Sequence, residues 1–197
     1  YSLGIILGER IQNDFGDLDP DFVLQGLMDS KDANSWKMDR PAINQAVQDA
    51  QARAQAAQQQ QIEAIAEANL KSGEEFLAAN AKKEGVTVTA SGLQYRVLTA
   101  GSGDAPQATD TVRVHYEGRL ISGDVFDSSY QRGEPVSFPL NGVIPGWSEG
   151  VQLMTPGAKY EFTIPSALAY GPSGTGPIPP NSVLVFDVEL LEVNPAN

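Results

Sequence analysis

The chain has 197 residues, no cysteine and a formal charge of −12, with 25 acidic against 13 basic side chains. That length allows one large or two modest domains, and the missing thiols rule out disulfides and cysteine-based metal sites. An acidic surface of this size repels phosphate backbones, which argues against nucleic acid and anionic membranes as partners, and no apolar run approaches the roughly 18 residues of a membrane span.

Glycine and proline divide the chain. Of 13 prolines, 11 lie at or after residue 85, as do 14 of 19 glycines. Both break helices, so the first 84 residues read as helical and the rest as strands and loops. Leu3, Leu7 and Ile11, widened by Ile6, mark a first helix over Tyr1 to Phe15. Gly4 and Gly8 sit four apart on a neighbouring face, where small residues let a second helix approach or leave a local notch. Asp19-Pro20 opens a second helix, with Asp as N-cap, Pro in the first turn, and Phe22, Val23 and Leu27 as its buried face. The aspartates Asp14, Asp17, Asp19 and Asp21 lack the Gly and terminal Glu of a calcium loop and read as a capping turn.

Asp39-Arg40-Pro41 opens a third helix. It meets no further Pro to about Glu84, roughly 65 Å if unbroken, with Gly73 as its weak point and Gly85 as its C-cap. Ile43, Val47, Ala50, Ala54 and Ala57 follow a heptad-like spacing before Ile62, Ile65 and Phe76 fall on another line. An Ala-rich seam between Gln-rich flanks pairs weakly, so the middle reads as a solvated spacer. Two short apolar helices cannot build a core alone. A second copy of the chain is the most economical partner, so a homodimer through residues 1–40 is expected. The expected organisation is a helical dimerisation region at 1–40, a linking helix at 41–85 and a β-rich domain at 86–197.

In that domain Leu93, Tyr95 and Val97 alternate with polar neighbours, as do Val112, Val114 and Tyr116. Phe162 and Ile164 are the inward candidates of another strand. Val183 to Val193 is strongly β-prone, with Leu184, Phe186, Val188 and Leu190 on one face. Turns are expected at Ala100 to Gly103, Ser122 to Asp124 and Thr155 to Gly157. Gly146 to Met154 reads as one short helix with Trp147, Val151 and Met154 inward. A short helix on an antiparallel sheet is an α+β arrangement.

Aromatics and aliphatics recur in the loops of this half, without a paired base and nucleophile. His115, the one histidine, falls opposite Tyr116 on its strand and so away from any pocket beside it, and no Gly-x-Ser-x-Gly elbow exists for a hydrolase. Taken singly, Trp147, Phe126, Val143 and Phe186 read as core. Taken in order, they suit a pocket that holds a small apolar group.

Val114-His115-Tyr116, Val125-Phe126-Asp127, Val143-Ile144-Pro145-Gly146-Trp147, Ala169-Tyr170-Gly171, Ile178-Pro179-Pro180 and Leu184-Val185-Phe186 resemble, in order and spacing, the FK506-binding-protein family of peptidyl-prolyl cis/trans isomerases. Tyr1-Ser2-Leu3-Gly4 and Lys82-Lys83-Glu84-Gly85-Val86 are similar to the dimerising front end of its Mip-like and FkpA-like bacterial members. The resemblance implies a sheet wrapped on a short helix and a pocket of Tyr116, Phe126, Asp127, Val143, Ile144, Trp147, Tyr170, Ile178 and Phe186. Trp147 would be the floor, and Tyr116, Phe126 and Phe186 the walls. The Ile144 N–H and Tyr170 hydroxyl would bind substrate carbonyls. Val136 stands where many members place an aromatic ring, so the rim is expected to be more open there.

Isomerisation fits these residue types because no bond need break. The X-Pro amide barrier is about 18–20 kcal/mol, the twisted amide is less dipolar than the planar one, and a dry pocket favours it. No cofactor or metal is required, and Asp127 reads as orienting the pocket. Expected partners are proline-containing unfolded or partly folded proteins, and macrolides of the FK506 and rapamycin type. A dimeric clamp or chaperone with secondary turnover is the competing function. The resemblance implies a periplasmic or envelope location, with a cytoplasmic one as the alternative. The chain starts at Tyr1 and not at Met, so targeting is not read directly.

Overall fold

The structure, a computed structural model, describes residues 1–15 and 18–195. It divides into two compact units, Tyr1–Glu63 and Ala64–Asn197, which meet within the third helix.

In the first unit, α1 (Ser2–Phe15) is followed by α2 (Pro20–Asp29). The Asp19 carboxylate accepts the Asp21 N–H at 2.9 Å and caps α2. Asp17 lies outside the described residues. Helix α3 (Arg40–Asn80) is capped the same way, by Asp39 accepting the Ala42 N–H at 2.9 Å. Trp36 fixes the turn between α2 and α3. Its indole N–H donates to the Asp29 carbonyl at 3.1 Å, and the Arg40 guanidinium lies 4.4 Å over its ring. Within the single chain, neither α1 nor α2 buries a residue. Phe22 and Leu27, expected on a buried face with Val23, are 71% and 59% exposed, and Val23 is only half-buried. Helices of 14 and 10 residues present more apolar surface than they can cover for one another.

The last turns of α3 belong to the second unit. Their covered line is Ala66, Asn69, Gly73, Phe76, Leu77 and Asn80, whereas Ile65, expected to share a line with Phe76, is exposed. Gly73 is a contact point and not a weak one, since a Cβ there would lie 2.8 Å from Val183 Cγ2. Asn80 is 4% exposed and donates to Gln94 Oε1 at 2.9 Å and Thr163 Oγ1 at 3.2 Å, while Gln94 donates to the Leu77 carbonyl at 2.9 Å. This buried amide cluster ends the helix. The N–H groups of Lys82 and Lys83 turn back to the carbonyls of Ala79 and Asn80 at 3.2 and 3.0 Å. The helix therefore stops at Asn80, short of the expected Glu84. Gly85, at φ 76°, is a turn residue ahead of the first strand and not the C-cap.

Among the described residues seven strands form one antiparallel sheet: β1 (Val86–Val88), β2 (Gln94–Thr99), β3 (Thr111–Leu120), β4 (Val125–Ser128), β5 (Val136–Pro139), β6 (Lys159–Ile164) and β7 (Leu184–Val193). Their order is β1-β2-β6-β7-β3-β4, with β5 also paired to β3. The spine is β3, which pairs with β4, β5 and β7. Its inward residues Val112, Val114 and Tyr116 alternate with outward Arg113, His115 and Glu117, as a half-buried strand requires. Leu184, Phe186, Val188 and Leu190 do the same on β7. Val97 departs from the expected alternation and is exposed.

Helix α5 (Pro145–Val151) lies on the inner face and buries Trp147 and Val151, with Met154 just beyond it. Each such side chain contributes about 1.5–3 kcal/mol. A one-turn helix, α4 (Ser129–Arg132), was not expected. Ser128 caps it at one end and Gly133, at φ 81°, ends it.

Asn80→Ala is expected to lower unfolding stability by about 1–3 kcal/mol, the cost of leaving the Gln94 and Thr163 oxygens short of a donor. Urea denaturation of the full chain measures it, and an unchanged midpoint contradicts it.

Candidate active site

Residues of β3, β4 and β7 converge at one place on the inner face. Phe186 of β7 sits opposite Gly118 of β3, and Phe126 comes from β4. The two rings cross over the glycine. A Cβ there would lie 2.6 Å from Phe186 Cε1 and 2.7 Å from Phe126 Cε2. Trp147 enters from α5. Pro145 stands in the first turn of that helix and Ile144 is its N-cap, with the Ile144 carbonyl accepting the Trp147 and Ser148 N–H groups at 2.9 and 3.0 Å. Among the described residues the N–H of Ile144 meets no acceptor.

Three rings meet the indole nearly at right angles. Tyr116, Phe186 and Phe138 have centroids 5.2, 5.3 and 5.8 Å away at interplanar angles of 89°, 86° and 80°. Each edge-to-face pair contributes about 0.5–1.5 kcal/mol beyond its buried area. Trp147 is 4% exposed and its Nε1 is buried without a hydrogen-bond partner. That unmet donor costs about 1–3 kcal/mol, which the ring contacts offset.

These rings, with Gly142, Val143, Ile144 and Tyr170, line a cavity of about 490 Å³. Volume alone does not single it out, since grooves of about 390 and 520 Å³ lie in the first unit beside Trp36 and between α1 and α2. The convergence of rings with a polar trio does. The Tyr116 hydroxyl donates to Asp127 Oδ2 at 2.5 Å, Arg132 Nη2 donates to that hydroxyl at 2.9 Å, and Arg132 Nη1 pairs with Asp127 Oδ1. One turn of α4 places Arg132 there, five residues past Asp127.

Burial pushes the Asp127 carboxyl up, but the Tyr116 hydroxyl and the Arg132 guanidinium outweigh it and hold the group below the usual carboxylate range. The Tyr116 hydroxyl moves the other way, raised by burial and by its bond to Asp127.

Eight of the ten expected site residues line the cavity: Tyr116, Phe126, Asp127, Val143, Ile144, Trp147, Tyr170 and Phe186. Val136 and Ile178 do not. Ile178 is buried in the core, and Val136 packs beside it, partly covered. The ring that faces the cavity from β5 is Phe138, on the same face as Val136 and two residues on. Phe138, Gly142 and Arg132 were missed. Phe138 was legible from the two-residue period of a strand. Arg132 was legible only if the short helix between Ser128 and Gly133 had been recognised. His115 does face away: its Nδ1 lies 3.0 Å from Ser129 Oγ and its ring stacks on Tyr130 at 4.7 Å.

A sheet wrapped on one short helix carries an aromatic-lined cavity with, among the described residues that line it, no nucleophile beside a base, a shape suited to an apolar ring. A domain described as FKBP-type peptidyl-prolyl cis-trans isomerase matches residues 103–191, and the domain amino terminal to FKBP-type peptidyl-prolyl isomerase matches residues 1–97. FkpA of Aeromonas hydrophila is 49% identical over 98% of this chain and 74% of its own length. The FKBP-type 22 kDa peptidyl-prolyl cis-trans isomerase of Escherichia coli K12 is 46% identical over 98% of this chain and 93% of its own. The outer membrane protein MIP of Legionella longbeachae is 39% identical over 100% of this chain and 84% of its own. The crystal structure of FkpA from Escherichia coli superposes with a TM-score of 0.85 at 44% identity, covering 100% of this chain and 95% of that one. The chain belongs to the FKBP-type peptidyl-prolyl cis-trans isomerases, in the branch that holds FkpA and Mip, and acts on proline-containing substrates.

Gly118→Ala is expected to cut kcat/KM on a short X-Pro peptide by at least about tenfold, equivalent to about 1.4 kcal/mol, because Phe126 and Phe186 must move. Unchanged turnover contradicts the crossing of the two rings as a requirement. The pH profile follows from Asp127. Its folded value is depressed, so the trio is intact above the ordinary carboxylate value and is lost as pH falls through the lowered one. From about pH 5 to 8 the carboxylate stays ionised, and kcat/KM is expected to be flat there.

Proposed function

We propose that the cavity takes the proline ring of an X-Pro segment and lowers the rotation barrier by shape and dryness alone. The observation that carries this is the indole of Trp147, which three other rings meet nearly at right angles beside the cavity. Proline lies against the indole, walled by Tyr116, Phe126 and Phe186. The Ile144 N–H holds the chain on one side of the ring and the Tyr170 hydroxyl takes a carbonyl on the other. One end is fixed while the other rotates, and the planar, more dipolar amide loses more solvation on entry than the twisted one.

Asp127 orients this wall and is no general base. A base working at neutral pH needs a value near 7, and this carboxyl is held low by Tyr116 and Arg132. Lowering the barrier by about 5 kcal/mol accelerates rotation nearly four powers of ten. Macrolides of the FK506 and rapamycin type compete for the same cavity.

The first unit makes the protein a homodimer through residues 1–40. Supporting this are the apolar side chains of α1 and α2 that the single chain leaves uncovered, Leu3, Ile6, Phe22 and Leu27 among them. Two isomerase domains in one dimer hold an extended client by avidity, which gives the protein a clamp or chaperone role beside turnover. The kinship with an outer membrane protein supports an envelope location.

The test is isomerisation of a short X-Pro peptide by the intact chain. Acceleration is expected, blocked by a macrolide and reduced at least about tenfold in Phe126→Ala. No acceleration, or full activity in that variant, removes the reading. Sedimentation of the intact chain as a monomer removes the dimer.

A further inference from the structure

We infer that Asn181 is a positioning residue for the isomerase site, because it ties the segment carrying Tyr170 to the end of α3. The inference rests on the proposed contact between Tyr170 and substrate.

The chain between β6 and β7 carries Tyr170 to the cavity and returns through Ile178-Pro179-Pro180-Asn181 to the sheet. It is braced within itself. Thr175 and Ile178 exchange N–H to carbonyl bonds at 2.9 and 2.8 Å, and the Asn181 N–H donates to the Gly171 carbonyl at 2.9 Å. The last bond closes the segment beside Tyr170. A segment closed in this way moves as one piece, so its outer attachments set where Tyr170 stands.

Those attachments are the buried side chain of Ile178 and, toward α3, two amides. The Asn181 side chain donates to the Ala66 carbonyl at 3.2 Å, and the Asn69 side chain donates back to the Pro180 carbonyl at 2.8 Å. Both helical partners belong to the α3 turns of the second unit, and one turn further on Gly73 lets the helix close on Val183. Neither Asn69 nor Asn181 lines the cavity, so both act through the segment.

The residue type is demanded twice. Asn181 has φ 54°, in the left-handed region, where Gly and Asn are tolerated and most side chains are strained. Glycine meets that demand but has no amide to reach Ala66. Lysine or glutamine could donate but would strain the backbone. Asparagine satisfies both.

The experiment uses the full-length chain and a short X-Pro peptide. Asn181→Gly keeps the backbone conformation and removes only the amide. KM is expected to rise about three- to tenfold with kcat nearly unchanged, and Tm is expected to fall by only a few degrees, the stability cost of one net hydrogen bond. Asn69→Asp, which has the same shape but no donor, should reproduce the KM rise. In a Tyr170→Phe background Asn181→Gly should add nothing further, whereas general loosening would multiply the two losses. The NMR signals of the Tyr170 ring should shift in Asn181→Gly whether or not the hydroxyl meets substrate. An unchanged Tyr170 signal, or a KM loss that multiplies with that of Tyr170→Phe, overturns the inference. An unchanged KM in Tyr170→Phe alone, with the ring signal still shifted by Asn181→Gly, defeats the substrate contact and leaves the positioning intact.

Discussion

One buried indole organises this site. Trp147 is carried by α5, and Tyr116, Phe138 and Phe186 of β3, β5 and β7 meet it nearly at right angles. Aromatic edges carry partial positive charge and faces partial negative, so this arrangement is attractive and directional. Stacked rings would fill the space, whereas rings set at right angles leave a walled volume. Phe126 extends the wall by meeting Phe186 edge-on at 5.5 Å. The glycine at 118 is what the sheet gives up to let those rings cross.

In the proposed mechanism the polar trio works on the wall rather than on the substrate's bonds. Asp127, Arg132 and Tyr116 each satisfy the other two. The phenol ring of Tyr116 is thereby fixed at both ends, by its strand and by its hydroxyl. The same bonds that hold the ring keep the carboxylate ionised and occupied. Catalysis by such a site depends on shape and on solvent exclusion, which suits a reaction with no proton to move.

Much of this was legible in the sequence where a local rule decides the outcome. The period of two over Val112, Val114 and Tyr116 placed the inward face of β3, and the same period on Leu184 to Leu190 placed that of β7. Asp19-Pro20 and Asp39-Arg40-Pro41 opened their helices because capping needs only neighbours. What stayed hidden depends on contacts far apart in the chain. The end of α3 is set by Asn80 reaching Thr163, 83 residues away, and no helix propensity at Lys82 or Lys83 reports that. Gly73 looked like a defect because Val183, its reason, lies in another element. The covered line of α3 runs through Ala66, Asn69, Phe76 and Asn80 and not through Ile62 or Ile65, so hydrophobic periodicity found only Phe76 of it. The rim from β5 was assigned to Val136 by resemblance, when the strand brings Phe138 to the cavity on the same face.

The most direct measurement is a set of intermolecular NOEs between the assigned indole protons of Trp147 and the ring protons of proline in a bound X-Pro peptide, on the intact chain. Strong NOEs from proline Hγ and Hδ to the Trp147 ring, and none to Trp36, are expected. A bound peptide whose proline shows no NOE to Trp147 would contradict the indole as the floor of the site.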